Sequence, residues 1–192
     1  MERTFVMLKP DCVQRGLVGE CVFRLERAGL KMVAAKMVRP SKGFVEKFYP
    51  SSEDWLKAVG GKTLENYEKY GLDANKLIGT SDPLKIGKAV KKWLVDFISS
   101  GPVVATVWEG NHAVDVVRKL VGHTLPLNAA PGTIRGDYSF DASDLANARK
   151  RSVRNLIHAS GTVEEAKAEV RIWFSDKELQ SYKRADEAAM FE

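Results

Sequence analysis

Long hydrophobic runs are missing from this sequence, and its longest apolar candidates, such as residues 102–108, have only the length of a strand. A membrane-spanning helix needs about 20 apolar residues, so we expect no membrane partner. The chain has only two cysteines and three histidines, and their spacing fits neither a zinc site nor a C-x-x-C pair. The first residues lack the apolar core of a secretory signal. We therefore expect a cytoplasmic protein with reduced thiols.

What the sequence does contain is typical of one folded domain. It has 192 residues, 44% of them hydrophobic, which excludes a disordered chain. Lysine and arginine number 30 against 25 acidic residues, so the net charge is +5. Such a charge is compatible with a nucleic acid, a phosphate-rich small ligand or a merely solvated surface.

Hydrophobic periodicity predicts alternating strands and helices. The predicted strands are residues 3–9, 30–38, 103–108 and 153–158, with a short one at 138–140. The predicted helices are residues 17–28, 41–49, 84–98, 113–121 and 162–174. Ser41, Asn111 and Thr162 are candidate N-caps. This order favours an α/β sandwich of the ferredoxin-like, split βαβ kind with an antiparallel sheet.

Residues 50–89 have a different composition, rich in lysine, glutamate and glycine. Short helical patterns at 53–59 and 63–70 predict a helical insertion here. The Gly61-Lys62-Thr63 tripeptide resembles the end of a phosphate-binding P-loop, but Leu56 stands where the first glycine would be needed. We therefore do not assign a P-loop.

A long loop over residues 122–137 follows a helix that carries Arg118 and itself contains Arg135. Loops of this length in a compact domain are uncommon and often functional. Exposed amides, threonine hydroxyls and arginines are groups that bind phosphate oxygens. From composition alone, phosphate binding and a plain solvated connection are equally good interpretations.

His158 follows an apolar strand and precedes a helix N-terminus. A packed core histidine is the more frequent case, but a nucleophile or acid–base group is the alternative. Ser160, Glu165 and Glu169 are candidate partners for its ring. The neighbouring helix N-terminus would favour an anionic phosphate.

Five motifs in one order resemble the nucleoside diphosphate kinase family. They are FVMLKPD at 5–11, QRGLVGE at 14–20, SGPVVA at 100–105, PGTIRGD at 131–137 and NLIHAS at 155–160, and the match continues over 165–174. The resemblance leaves out residues 50–89 and 141–151. It implies one domain over residues 1–192 with an inserted segment at 50–89 and a smaller insertion around 141–151.

The resemblance also implies a reaction. Family members move the γ-phosphoryl group of ATP or another nucleoside triphosphate to a nucleoside diphosphate. They do so by a ping-pong mechanism through a phosphohistidine, with Mg²⁺ on the nucleotide phosphates. The matching nucleophile is His158, oriented by Glu169 with support from Ser160. A neutral imidazole near pH 7 is chemically suited to that task.

The resemblance assigns a nucleotide-binding set with distinct roles. Three cations meet the phosphates, two hydroxyls donate to the nucleotide, one amide binds the ribose, and two apolar side chains contact the base. The cations are Lys9, Arg118 and Arg135, and the hydroxyls belong to Thr124 and Tyr49. The ribose ligand is Asn155, and the base contacts are Val90 and Leu94. No protein side chain is assigned as a metal ligand. The long C-terminal tail resembles that of hexameric members, so we expect a homo-hexamer.

The sequence departs from the family pattern at several positions. Cys12 and Ala159 stand where glycine is usual, Leu125 replaces an asparagine, and Gly161 replaces an aspartate. Val90 stands where an aromatic residue usually stacks on the base. These departures keep open a catalytically weakened member that serves as a scaffold. A nucleic-acid-binding protein is a second alternative, but the strands lack the aromatic pattern of RNA-binding sheets, which makes nucleic acid an unlikely partner.

Overall fold

A four-stranded sheet forms the centre of the molecule in the computed structural model, which describes residues 1–191. The strands are β1 (Glu2–Leu8), β2 (Lys31–Val38), β3 (Val103–Gly110) and β4 (Ile157–Ala159). Their order is β2-β3-β1-β4, and each neighbouring pair is antiparallel. The predicted ferredoxin-like α/β fold with an antiparallel sheet is thus confirmed.

Eleven helices surround the sheet in the described part of the chain. They are α1 (Pro10–Gln14), α2 (Val18–Arg27), α3 (Lys42–Phe48), α4 (Glu53–Lys69), α5 (Ala74–Ile78), α6 (Pro83–Ser99), α7 (Ala113–Val121), α8 (Ile134–Tyr138), α9 (Ser143–Ala148), α10 (Val163–Trp173) and α11 (Glu187–Phe191). Short 3-10 turns occupy Pro126–Asn128 and Asp176–Glu178. Among residues 1–191, no helix combines the length and the apolar character that a membrane crossing requires.

Both faces of the sheet are buried, which explains why β1 is a continuous apolar run. Phe5 and Met7 face a core built with α3, α6 and α10. Val6 and Leu8 face a second core built with α2 and α7. The alternation of side chains along β1 therefore supplies two separate cores.

Two of the three predicted helix caps are correct. The Ser41 hydroxyl accepts from the Phe44 amide, and the Thr162 hydroxyl accepts from the Glu165 amide. The Asn111 cap is wrong: His112 is the N-cap of α7, with φ 47°, and its side chain makes no cap bond. Instead, the distant Glu2 carboxylate accepts from the Val114 amide at 2.6 Å. A cap supplied by tertiary contact leaves no local signal.

Two strand predictions are also inaccurate. Residues 138–140 are not a strand, because Tyr138 ends α8. The predicted strand at 153–158 shrinks to Ile157–Ala159, since Leu156 has φ 67° and lies outside the extended region.

The predicted pair of short helices at 53–59 and 63–70 is one continuous helix, α4. Two consecutive glycines do not interrupt it, because Gly60 lies at its contact with α6. A Cβ on Gly60 would overlap the carbonyl oxygen of Pro83, and one on Gly87 would overlap that of Leu56. The two helices thus approach each other through glycine on both sides.

We expect Gly60→Ala to destabilise the protein by about 1–3 kcal/mol, because the added methyl group must push α4 away from α6. Gly61→Ala is the matched control, since a Cβ added at Gly61 would meet no heavy atom within 4 Å. That control should be neutral or stabilise by up to about 1 kcal/mol through helix propensity. Urea unfolding measures both variants. Equal effects of the two substitutions would contradict this account of the helix contact.

Candidate active site

The chain brings its candidate site together where β1 and β4 pair. His158 lies opposite Met7 in the register of β1 and β4, and Met7 is two residues before Lys9. The Lys9 amide donates to the Leu156 carbonyl at 2.8 Å, which extends this link beyond the strand ends. Residues from opposite ends of the sequence therefore share one surface.

His158 is held by one nitrogen of its ring. Nε2 lies 2.8 Å from Glu169 Oε1, and the Ser160 hydroxyl donates to Glu169 Oε2 at 2.6 Å. The ring packs against Phe5 and Phe48, at centroid distances of 5.9 and 5.4 Å. The side chain is about one-fifth exposed, at 21%. Within residues 1–191, Nδ1 makes no hydrogen bond.

Two buried cations form the second part of the site. Lys9 and Arg135 are only 5% and 7% exposed. Lys9 Nζ donates to Asn155 Oδ1 at 2.6 Å. The Arg135 guanidinium donates to three carbonyl oxygens, those of Gly122, Asn155 and Ile157, at 2.9, 3.3 and 2.7 Å. The arginine thereby ties the 122–137 loop to the segment before β4.

Burial shifts the ionisation of both cations. It lowers the pKa of Lys9 from 10.5 to about 7, helped by the charge of Arg135 and opposed by Asp11. It lowers the pKa of Arg135 to about 10, with Arg118 as the next cause. A neighbouring positive charge adds to the cost of each cation, since Arg135 acts on Lys9 and Arg118 acts on Arg135. An anion at this place would relieve that cost.

The remaining predicted phosphate ligands lie at the edge of this cluster. Arg118 is exposed in the last turn of α7, and Thr124 is exposed in the following loop. The Thr124 backbone carbonyl accepts from Asn155 Nδ2 at 2.8 Å. Asn155 therefore connects Lys9 to the loop, with both ends of its amide in use.

The remaining predicted nucleotide ligands lie on α6 and at the end of α3. Tyr49 is half-buried at the end of α3, and burial, followed by the charge of Glu169, raises its pKa. Val90 packs against the apolar cluster of α4, α5 and α6 around Tyr67 and Ile86. Leu94 is half-buried one turn later on α6. The structure thus places Val90 in the packing of α6 against α4 and α5.

Sequence reasoning missed Asp11. Its carboxylate is 3% exposed, and Oδ2 accepts from the Leu156 amide at 3.0 Å. Its only signal was its position in the Lys-Pro-Asp run that follows β1. Sequence alone gave no reason to assign it a partner 145 residues away.

Sequence reasoning also missed Arg24, whose side chain contacts α8 and the residue before its N-cap. Arg24 donates to the Gly132 carbonyl at 3.1 Å and to the Tyr138 hydroxyl at 2.7 Å, and it pairs with Asp137 at 2.7 Å. These contacts hold both ends of the short helix that carries Arg135. Opposite charges on two distant segments were the only available signal.

The departures from the family pattern around His158 fit the local backbone. Ala159 lies in β4 with no positive φ, so this position does not need glycine. Gly161 donates its amide to Glu165 Oε2 at 2.7 Å, and a Cβ there would lie 2.6 Å from that oxygen. Thr162 caps the helix as predicted.

Within residues 1–191, no group of three or more histidine, cysteine, aspartate or glutamate side chains is arranged to hold a metal ion. The cluster around Lys9 and Arg135 is cationic instead. Its chemistry suits phosphate oxygens, because lysine and arginine bind them with charge-assisted hydrogen bonds.

Comparison with known proteins gives a consistent family assignment. A protein-family model described as nucleoside diphosphate kinase matches residues 2–57 and 84–179. The nucleoside diphosphate kinase of Pyrobaculum aerophilum is 52% identical over 93% of this chain and 98% of its own. That of Archaeoglobus fulgidus is 43% identical over 100% of this chain and 99% of its own.

Similar solved structures belong to proteins of the same name. A crystal structure of an NDP kinase from Pyrobaculum aerophilum has a TM-score of 0.92 and 51% identity, covering 94% of this chain and 99% of its own. A Borrelia burgdorferi nucleoside-diphosphate kinase, described as a transition state mimic with bound vanadate and ADP, has a TM-score of 0.77 and 38% identity, covering 98% and 95%. A Halobacterium salinarum enzyme in complex with CDP has a TM-score of 0.69 and 36% identity, covering 100% and 99%.

The lowered pKa of Lys9 predicts a pH-dependent stability. Between pH 7 and 10.5 the unfolded chain holds a proton on Lys9 that the folded chain has released. The free energy of unfolding should therefore rise with pH across this window, by at most about 1.4 kcal/mol per pH unit. Lys9→Met lacks this contribution. We expect any stability advantage of Lys9→Met over the wild type to shrink between pH 7 and 10.

Urea unfolding of both proteins at pH 7, 8, 9 and 10 measures this difference. Groups that titrate alike in both proteins cancel. A stability difference that stays constant over the whole range would contradict the buried, easily deprotonated Lys9.

Proposed function

Since the chain belongs to the nucleoside diphosphate kinase family and transfers phosphoryl groups between nucleotides, we propose that His158 carries the transferred phosphoryl group. It accepts the γ-phosphoryl group of a nucleoside triphosphate such as ATP and passes it to a nucleoside diphosphate. The observation that supports this role is that only one of the two ring nitrogens of His158 has a hydrogen-bond partner within residues 1–191. Nε2 is bound by Glu169, and Nδ1 has no protein partner among the described residues.

The first half-reaction follows from that tautomer. A proton on Nε2 donates to Glu169, which leaves the lone pair on Nδ1. Nδ1 attacks the γ-phosphorus, the bond from that phosphorus to the β–γ bridging oxygen breaks, and the nucleoside diphosphate leaves with that oxygen. The second half-reaction reverses these steps with a different diphosphate as acceptor.

Glu169 and Ser160 act on the ring, away from the phosphorus. Both carboxylate oxygens of Glu169 are engaged, one by His158 and one by the Ser160 hydroxyl. This fixes the direction in which Nδ1 points. The carboxylate also stabilises the positive charge that develops on the imidazole as the N–P bond forms.

Lys9, Arg118 and Arg135 bind the phosphates. A guanidinium has five N–H groups, so the three bonds of Arg135 to carbonyls leave two for phosphate oxygens. A bound polyphosphate raises the pKa of Lys9 from its value of about 7 and restores its positive charge. Phosphoryl transfer depends mainly on such positioning and charge stabilisation.

The rest of the nucleotide meets the remaining assigned residues. Asn155 binds the ribose, Thr124 and Tyr49 supply hydroxyls, and Val90 and Leu94 contact the base. Mg²⁺ would be held by the nucleotide phosphates, because no group of three or more histidine, cysteine, aspartate or glutamate side chains in residues 1–191 is arranged to bind it directly. When bound, it neutralises phosphate charge and orients the chain of phosphates.

We further propose a cytoplasmic homo-hexamer that binds no nucleic acid. The support for the assembly is the long C-terminal tail, which resembles that of hexameric members. Within the chain, the Gln180 amide of this tail donates to the Val33 carbonyl at 2.8 Å, and its Tyr182 hydroxyl donates to the Met32 carbonyl at 2.9 Å. These bonds cover β2, the edge strand, with the segment that resembles hexameric members. Sedimentation equilibrium should return the mass of six 21.3 kDa chains.

Incubation with γ-labelled ATP and Mg²⁺ tests the role of His158. The wild type should take up one acid-labile phosphate per chain, and His158→Asn should take up none, because the nucleophile is gone. His112→Asn and His123→Asn are controls and should be labelled like the wild type. Labelling of His158→Asn would disprove the assignment.

Turnover with ATP and several nucleoside diphosphates separates an active enzyme from a weakened scaffold. Glu169→Gln should slow turnover by about 10- to 100-fold through loss of the charge that supports the ring. Glu164→Gln, on the exposed side of the same helix, should leave it unchanged. Equal rates for the two variants would contradict the role of Glu169.

A further inference from the structure

The segment between Asn155 and His158 contains a strained turn. Leu156 has φ 67°, a region that leucine seldom adopts. The Ile157 amide donates to the Asn155 carbonyl at 2.7 Å, which closes a three-residue turn around Leu156. A γ-turn with a positive φ at its centre is rare and costs free energy. Such strain persists only where surrounding contacts enforce it.

The contacts that enforce the turn come from the other end of the chain. The Leu156 amide donates to Asp11 Oδ2 at 3.0 Å, and the Leu156 carbonyl accepts from the Lys9 amide at 2.8 Å. Both backbone polar groups of the strained residue are thus bound by Lys9 and Asp11, which follow β1 directly. The Leu156 side chain is fully buried.

The turn sets the geometry of the site on both of its sides. The carbonyls of Asn155 and Ile157 both accept from the same Arg135 guanidinium. The Asn155 side chain meets Lys9, and His158 follows the turn directly. An extended backbone at Leu156 would redirect these carbonyls and the Asn155 amide.

Asp11 is also the carboxylate that opposes the buried cations. Its Oδ1 is buried and has no hydrogen-bond partner among residues 1–191. Its charge raises the pKa of both Lys9 and Arg135 against the effect of burial. The free energy of keeping an unpaired carboxylate oxygen buried is offset by these two positive charges.

We propose that Asp11 is a positioning residue for phosphoryl transfer, whose carboxylate holds the turn at Leu156 and so fixes Asn155 and His158 relative to Lys9 and Arg135. This role rests on the proposed function of His158 and deepens it. Asp11 acts through the backbone of Leu156, without contact to the transferred group. A misplacement of about 1 Å in such a site can slow a reaction by about 100-fold.

The test compares Asp11→Ala and Asp11→Asn in single-turnover phosphorylation by labelled ATP, with amide hydrogen exchange at Leu156. Asp11→Ala removes the acceptor, so protection of the Leu156 amide should be lost and the rate should fall by about 100-fold. Asp11→Asn keeps an oxygen that can accept from Leu156. It should retain protection and recover the rate to within about tenfold of the wild type.

Glu2→Ala and Glu2→Gln form the matched control pair. Glu2 also accepts a hydrogen bond from a distant backbone amide, that of Val114, but at the opposite end of β1. Glu2→Ala should lower the melting temperature and leave the phosphorylation rate unchanged. A merely structural role of Asp11 would give this same result.

The proposal is overturned if Asp11→Ala folds and is phosphorylated at the wild-type rate, or if the rate falls while the Leu156 amide stays protected. If Asp11→Ala does not fold, Asp11→Ser replaces it, because the shorter side chain withdraws the acceptor from the Leu156 amide. A wild-type rate in that variant, or a slowed rate with the Leu156 amide still protected, then overturns the proposal. A wild-type protein that takes up no label on His158 overturns the proposed function and this inference together. Labelled wild type with unaffected Asp11 variants overturns the inference only.

Discussion

The burial of two like charges side by side is the constraint on which the site depends. Lys9 and Arg135 are both more than nine-tenths buried; burial makes each charge more costly, and the charge of Arg135 adds to the cost on Lys9. The protein meets this cost with four dipoles and one charge. The dipoles are three backbone carbonyls on Arg135 and the Asn155 amide oxygen on Lys9, and the charge is the Asp11 carboxylate. Such a cluster is incompletely neutralised by the protein, and the proposed role of both residues in phosphate binding rests on this excess of positive charge.

The same groups also connect the fold. Arg135 joins the 122–137 loop to the segment before β4, Asn155 joins that loop to Lys9, and Asp11 joins α1 to Leu156. The segment before β4 is therefore shaped by side chains from elsewhere rather than by its own pairing. This accounts for the short length of β4, since the chain must leave the extended conformation at Leu156 to satisfy these contacts.

Away from the site, the architecture depends on apolar burial and on close helix contact. The central strand β1 supplies both cores through alternate side chains, and glycines bring α4 against α6. A satellite cluster around Tyr67 and Ile86 then packs between α4, α5 and α6. Val90 belongs to this packing, so the proposed base contact is also part of the contact between these helices.

The sequence by itself determined the alternation of strands and helices, the Ser41 and Thr162 caps and the family to which the chain belongs. These follow from local periodicity, local hydrogen bonding and ordered motifs. Tertiary structure alone decided the cap of α7, the continuity of α4 through Gly60, the strained turn at Leu156 and the position of Asp11. Each of these depends on a partner far away in the sequence, such as Glu2, Pro83 or Arg135. Local propensity carries no information about such partners, because the free energy that stabilises the contact exists only once the sheet has brought the segments together.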